Sequence, residues 1–369
     1  MAANSKPPPG DRPDDPGLHR ILLDDLRRTD LGDSMRESLR DLYEFYLDDE
    51  RRQQLASMSR FRRWLRTFWW SFKALFLKLS PARRVMLAAG LILAILGRVG
   101  AGDYSADLRI WGVVLLVLIL MLELKDKLLA RDEIDVARRV QLDLLPRHHP
   151  DLEGWSIWSY TRPANDVGGD LVDYLEFSPG RLDIALGDVA GKGMGAALLM
   201  AKLQATMRAL AADCSRLDEL GTRVNAIFHR DGLENRFATL FYICLEAGSG
   251  RLRYLNAGHN PALLQKHDGI EELGASGVPL GILPGTRYCE GVAELQPGEL
   301  VVAYSDGLTE ATSAAGEEYG DRRLRELLPR LKGLSVAEAG RLILHDVERF
   351  TASERYADDL SLVLLLRTG

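Results

Sequence analysis

Residues 181–200 read RLDIALGDVAGKGMGAALLM. Leu182–Leu186 is a strand-like apolar run, Gly187-Asp188 closes it, and Gly191-Lys192-Gly193-Met194-Gly195 opens a helical stretch over Met194–Ala212. A carboxylate placed at the end of an apolar strand leaves the rigid sheet and points into whatever lies at its edge. The pattern recurs in Val167-Gly168-Gly169-Asp170-Leu171-Val172-Asp173-Tyr174, in Tyr304-Ser305-Asp306-Gly307-Leu308-Thr309-Glu310 and in Ala357-Asp358-Asp359-Leu360-Ser361-Leu362. One such Asp is an ordinary turn or cap residue. Four at the edges of separate predicted strands point to one site of hard oxygen donors, the kind that suits Mg²⁺ or Mn²⁺.

Working outward, strand-like runs fall at Trp155–Tyr160, Leu171–Phe177, Leu182–Leu186, Thr239–Leu245, Leu252–Leu255, Ala262–Leu264, Leu300–Tyr304 and Leu360–Leu366, with a hairpin turn at 246–250. Helical patterns fall at Met194–Ala212, Leu217–Arg230, Asp321–Leu331 and Val336–Phe350. Strands outnumber helices, and two long helices follow directly from the Asp188 motif. The expectation is an α+β fold of packed antiparallel sheets covered by helices, rather than alternating βαβ units.

The first 150 residues have another texture. Residues 1–17 lack aromatic and β-branched side chains and are expected to be disordered. Residues 18–84 read as a helical region ending in a basic, aromatic stretch: residues 60–84 carry eight Lys/Arg and no Asp/Glu, among Trp64, Phe68, Trp69, Trp70, Phe72 and Phe76. That composition suits an anionic lipid surface. Two apolar runs follow, Val85–Gly97 and Ile110–Leu122, each 13 residues long. Both are shorter than the roughly 20 residues of a membrane helix. With Arg98 and Arg109 at their ends and basic residues outside both, residues 85–122 are expected to form a transmembrane helical hairpin with cytoplasmic termini. That places the protein at the inner membrane with its strand-rich C-terminal domain in the cytoplasm; the alternative is a wholly cytoplasmic protein. Residues 123–147 read as a linker helix. Its apolar face, Leu124, Leu128, Ile134, Ala137, Gln141 and Leu144, fits either a passive tether or a parallel dimerising stalk, the polar Gln141 being a misfit in the seam. Residues 148–369 form the remaining domain.

Net charge is −6, which gives no support for nucleic-acid binding. Cys214, Cys244 and Cys289 show neither metal-ligand spacing nor even pairing and read as core residues of a protein in a reducing compartment.

From about residue 134 to 369 the chain resembles the SpoIIE/RsbU class of type-2C, metal-dependent protein serine/threonine phosphatases. The resemblance rests on Ala137-Arg-Arg-Val-Gln141, Leu144-Leu-Pro146, Asp166-Val-Gly-Gly-Asp170, Gly187 to Gly193 with Ala196-Ala-Leu-Leu-Met200, Asn256-Ala-Gly-His-Asn-Pro261, Tyr304 to Ala311, and Asp358-Asp359, in that order. It implies an α/β/β/α sandwich with two Mn²⁺ or Mg²⁺ ions at one end of the sheets. The implied activity is hydrolysis of phosphoserine or phosphothreonine on a phosphoprotein, with a STAS-type anti-sigma-factor antagonist as the expected substrate. By the same resemblance Asp188 bridges the metals, the Val189 carbonyl lies beside it, Asp306 and Asp358 are further ligands, and Asp170 binds directly or through water. Asp188 and Asp306 are the residues on which catalysis most depends. Asp358 is preferred to Asp359 because it holds the first place of the family's acidic pair.

Asp173 and Asp359 are expected behind the ligands, or as turn residues. Gly169 and Gly307, like Gly168 and Gly187, are read as backbone requirements, for positive φ or close approach. Lys192 is a candidate phosphate ligand, although no Ser/Thr follows it and the loop is not a P-loop. His259 is read as structural or substrate-facing. Two departures from the family pattern, Asp166 where Glu is commoner and Met194-Gly195 where Val-Pro is commoner, touch the rim and remove no ligand. A nucleotide cyclase, suggested by Gly168-Gly169-Asp170, leaves the later motifs unexplained. The stronger alternative is a membrane-tethered pseudophosphatase that binds a phosphoprotein without cleaving it.

Overall fold

A computed structural model describes residues 60–101, 104–178, 180–231, 236–352, 356 and 358–369. The expectations for residues 1–17 and 18–59 lie outside them. The chain divides into two compact units, Met1–Asp126 and Lys127–Gly369.

The described part of the first unit holds α1 (Arg60–Lys78), α2 (Pro81–Leu96), a two-stranded ribbon of β1 (Arg98–Ala101) and β2 (Tyr104–Asp107), and the first half of α3 (Arg109–Leu144). Pro81 starts α2 at a position where its missing N–H is no loss. The Arg84 guanidinium donates to the carbonyls of Phe76 (3.1 Å) and Leu77, closing the end of α1. Helices α2 and α3 meet backbone to backbone at Gly90 and Gly112: a Cβ on Gly112 would lie 2.4 Å from the Ala94 nitrogen. Arg83 pairs with Glu123 and Asp126.

The transmembrane hairpin is corrected by this structure: among the described residues no helix is long and apolar enough to cross a membrane. The 16 residues of α2 reach about 24 Å, against roughly 30 Å of hydrocarbon. The second apolar run gains length only by continuing into the charged residues from Glu123 onward, so the run and the predicted linker helix form one element, α3.

The second unit begins inside α3 and contains two five-stranded sheets. One is ordered β10 (Gly291–Glu294), β7 (Arg251–Ala257), β6 (Ala238–Glu246), β5 (Arg181–Val189), β4 (Leu171–Ser178); the other β3 (Trp155–Arg162), β12 (Leu360–Arg367), β11 (Leu300–Tyr304), β8 (Ala262–Gln265), β9 (Ile270–Leu273). Every pairing is antiparallel. Helices α4 (Met194–Ala211) and α5 (Leu217–Arg230) belong to the first sheet's outer face. The short α6 (Asp306–Thr309), α7 (Gly320–Leu327) with a 3₁₀ turn over Leu328–Leu331, and α8 (Val336–Thr351) belong to the second.

Alternation along each strand builds three apolar layers. Leu182, Ile184 and Leu186 of β5 meet Val301, Ala303, Val363 and Leu365 between the sheets. Ala185, Leu240 and Tyr242 face Met200, Leu203 and Met207 of α4 and Phe228 of α5. Val302, Leu362 and Leu364 face Leu324, Ile343 and Val347 of α7 and α8. Ser335 caps α8 in a reciprocal capping box with Glu338. The α/β/β/α sandwich is therefore as expected. Burial on both faces is why the central strands read as nearly continuous apolar runs.

Candidate active site

Strand register carries the acids to one place. Leu171 pairs with Gly187, so Asp170 and Asp188, one step further out, stand side by side at one end of the first sheet. In the second sheet Tyr304 pairs with Leu362, which puts Asp306, at the start of α6, at the same strand end as Asp358 and Asp359. The two ends meet: Asp359 accepts hydrogen bonds from the backbone N–H of Ala164 (2.7 Å) and of Gly169. Glycine is needed where they touch. A Cβ on Gly307 would lie 2.0 Å from the Asp359 carbonyl oxygen, and one on Gly168 2.6 Å from the Asp359 carboxylate. A Cβ on Gly169 would come within 3.1 Å of the Val189 carbonyl oxygen. Gly168, Gly169, Gly187 and Gly307 are absent from the positive-φ set, so of the two requirements foreseen the operative one is close approach.

The acids share a field. Burial, then Asp306, Asp358 and Asp359, push the Asp188 carboxyl up to about 7. Burial and the Asp188 charge hold Asp170 well above the usual carboxylate range, against hydrogen bonds from Ser361 and Ser305. Burial and Asp358 raise Asp306 as well, opposed by the Gly307 N–H. The exposed Lys192 ammonium reaches Asp358 at 2.9 Å, and that hydrogen bond raises its own pKa.

Such a cluster calls for a cation, and its donors are the carboxylate oxygens that hard divalent ions prefer. One observation supports the fit: Asp170 Oδ2 is buried without a hydrogen-bond partner. As they stand, no three acidic, histidine or cysteine side chains among the described residues close tightly enough round one point to hold a metal. The residues match such an ion in kind and charge, and not as a closed cage.

Other candidates fall outside the cluster. Asp173 lies fully buried within β4 and takes a bidentate pair from Arg208 of α4, at 2.6 and 2.8 Å; it anchors a helix. His259 is buried, its Nδ1 2.7 Å from Thr239 Oγ1, and burial pushes it down to about 4. Thr239 pairs across the sheet with Asp188, and its hydroxyl lies 3.3 Å from both the amide nitrogen and the carbonyl oxygen of Asp188. His259 thus braces the strand end that carries Asp188. Of the cysteines, Cys214 and Cys244 are buried as expected and Cys289 is exposed.

The roles of three residues were missed in the sequence. Gln141, the misfit of the linker helix, is buried; its amide donates to the Gly168 carbonyl at 2.6 Å and accepts from the Gly168 N–H at 3.0 Å. Gln204 of α4 donates to the Leu144 carbonyl at 2.8 Å. The end of α3 is thereby fastened to the loop before Asp170 and to the helix after Asp188. A buried polar residue on an otherwise apolar helical face was the available signal. Arg236 donates to the Ala190 carbonyl at 3.0 Å and lies against Gly191 and Gly195, steadying the turn after Val189; nothing local in sequence announces it.

Comparison with known proteins gives the family and the fold. The family profile described as stage II sporulation protein E (SpoIIE) matches residues 178–368. Protein IcfG of Synechocystis is 31% identical over 226 residues, covering 54% of this chain and 36% of IcfG. Phosphoserine phosphatase RsbU of Bacillus subtilis is 29% identical over 188 residues, covering 50% of this chain and 56% of RsbU. The chain thus spans between about a third and three-fifths of these relatives. The SiaA-PP2C domain of Pseudomonas aeruginosa superposes with a TM-score of 0.58 at 19% identity, over 66% of this chain and 99% of that one, a likeness of fold.

Proposed function

The chain belongs to the SpoIIE family, and from that premise we propose that it is a metal-dependent protein serine/threonine phosphatase acting on a signalling phosphoprotein of the STAS type. The observation that carries this reading is the convergence of Asp170, Asp188, Asp306 and Asp358 from two sheets into one field that raises Asp188 to about 7. Asp188, with the Val189 carbonyl, Asp306, Asp358 and Asp170, would hold two Mn²⁺ or Mg²⁺ ions. When bound, the pair supplies Lewis-acid activation of water and neutralises charge on the phosphoryl oxygens.

The chain's own residues do the rest. Asp359 clamps the Ala164 and Gly169 amides and so fixes the loop carrying Asp170. Thr239 and His259 hold Asp188 at its strand end. Lys192, exposed beside Asp358, is positioned to meet a phosphate oxygen at the rim. The Gln141 clamp gives α3 a second role, as the element through which a change in the linker reaches the Asp170 loop. If two copies pair through this helix, the exposed Leu129, Val136 and Val140 supply the heptad-spaced seam, since Gln141 is engaged by its own domain.

The test is hydrolysis of p-nitrophenyl phosphate with Mn²⁺, with and without chelator, followed by a phosphorylated STAS-domain protein. Chelator-sensitive turnover of both supports the proposal. Binding of the phosphoprotein without turnover would favour the pseudophosphatase.

A further inference from the structure

Strand β6 begins at the end of its sheet where the acids converge. Along it Ala238, Leu240 and Tyr242 pack on the helices, and Phe241, Ile243 and Leu245 pack between the sheets. Alternation therefore turns Thr239 to the inter-sheet side, where its hydroxyl meets His259. Asp188 of β5 faces the same side, in step with Leu182, Ile184 and Leu186. The ladder runs one residue further out than β6 itself: the Ala190 N–H donates to the Phe237 carbonyl at 2.9 Å. Phe237 thus stands opposite Ala190, two positions beyond the pair of Asp188 and Thr239 and on the side that Asp188 faces. A second segment lies alongside. Ala238 and Leu280 exchange backbone hydrogen bonds at 2.7 and 3.0 Å, and a Cβ on Gly281 would lie 3.5 Å from the Arg236 carbonyl oxygen. Asn225 of α5 fixes this loop, accepting from the Gly281 N–H at 2.8 Å and donating to the Leu283 carbonyl at 3.0 Å. Phe237, with Val278, Ile282 and Leu283 of the loop, is left between 36% and 52% exposed.

We infer that Phe237, Val278, Ile282 and Leu283 form an apolar lip that receives the residues flanking the phosphorylated side chain of a protein substrate. Phe237 is the specificity-determining member, and apolar flanks are favoured. The inference rests on the phosphatase reading above. Scattered singly, exposed apolar side chains need no explanation; held side by side at the edge of a site, they mark a surface that is covered in use. The occupant follows from position. A phosphoester that reaches Asp188 as part of a protein brings its own chain across the neighbouring strand end, and that ground is Phe237 and the loop beside it. Arg236, the residue before Phe237, is engaged by the Ala190 carbonyl at 3.0 Å, so recognition at the lip falls to apolar contact. Lys192, beside Asp358, is left to meet the phosphate.

Full-length protein with Mn²⁺ is given p-nitrophenyl phosphate and a pair of phosphoserine peptides, one flanked by Leu on both sides and one by Gly and Ser. Wild type is expected to prefer the Leu peptide by about tenfold in kcat/KM, the difference lying in KM. Both peptides meet the same acids, so their ratio cancels any change at the cluster itself. Phe237→Ser should bring the ratio down to about threefold or less, and Phe237→Leu, which keeps an apolar side chain, should retain most of it. Ile282→Ser/Leu283→Ser alters exposed positions outside the cluster and should lower the ratio as well. Equal turnover of the two peptides by wild type, turnover of p-nitrophenyl phosphate but of neither peptide, or a wild-type ratio in both Ser variants would overturn the lip and leave the phosphatase reading standing. Turnover of none of the three compounds would defeat that reading, and the lip with it.

Discussion

The two sheets bring unlike halves to the same site. The first supplies Asp170, buried, and Asp188, half-buried, both pushed up chiefly by burial and braced from behind by Thr239, His259 and the end of α3. The second supplies Asp306 and Asp358, nearer solvent and close to the Lys192 ammonium. The difference separates two tasks. The first half stores unfavourable charge in a rigid frame, so a cation bound there gains most. In the proposed reading the second half forms the rim, where a phosphoester would arrive. Loss of a candidate ligand from either half should therefore cost activity alike, whereas loss of a brace behind the first half should weaken metal binding.

The largest effect is expected for Asp188→Asn and Asp306→Asn. Each keeps shape and removes a charge, and each should cost at least about a hundredfold in kcat/KM with the fold intact. Retention of more than about a tenth of wild-type rate, a loss under ~1.4 kcal/mol, would refute the assignment of either. Next comes Gln141→Leu, which keeps the helix and breaks the clamp on Gly168. Metal affinity should fall by about tenfold, as when a supporting residue behind a ligand is lost, while KM for the phosphoprotein changes little. Unchanged metal affinity would reduce α3 to a spacer. Smallest on activity is Asp173→Asn, expected within about threefold of wild type in kcat/KM but with about 1–3 kcal/mol lost from stability as Arg208 loses its buried partner. A large activity loss there would return Asp173 to the site.

The same contrast has a pH signature. A carboxyl raised in the folded state contributes stability that is present below its unfolded value, roughly 3.9, and lost as pH rises through its folded value. For Asp188 that value is about 7. Metal-free protein should therefore lose thermal stability between about pH 4 and pH 7 from this group, and Mn²⁺ should raise Tm more at the upper end. A melting series with and without the ion reads it; an equal metal-induced shift at both pH values would contradict the buried-charge account.

What could be read beforehand follows physical lines. Central strands buried on both faces announce themselves as apolar runs, and the four Asp motifs sit at their ends because sheet edges are where a side chain can leave the core. In the two five-stranded sheets the strands that escaped, β9 with Glu271 and Glu272 and β10 with its exposed Val292, lie at sheet edges, where one face meets water and no apolar run is needed. Residues Val85–Gly97 and Ile110–Leu122 misled for the opposite reason. Composition alone cannot tell a run that crosses a bilayer from one in helices that pack through Gly90 and Gly112 and stop at Gly97 or continue into charge. Arg236 and the Asp173–Arg208 pair depend on contacts between residues distant in sequence, which no local pattern encodes, and Gln141 showed locally only as a polar misfit, without its partner Gly168.

The central claim is that four carboxylates from two sheets form one cation site. Calorimetric titration of Mn²⁺ into the wild type, Asp188→Asn and Asp306→Asn tests it most directly and independently of turnover. The account predicts saturable binding of two ions by the wild type and loss of at least one by each variant. Absence of binding by the wild type, or variants that bind as it does, would contradict it.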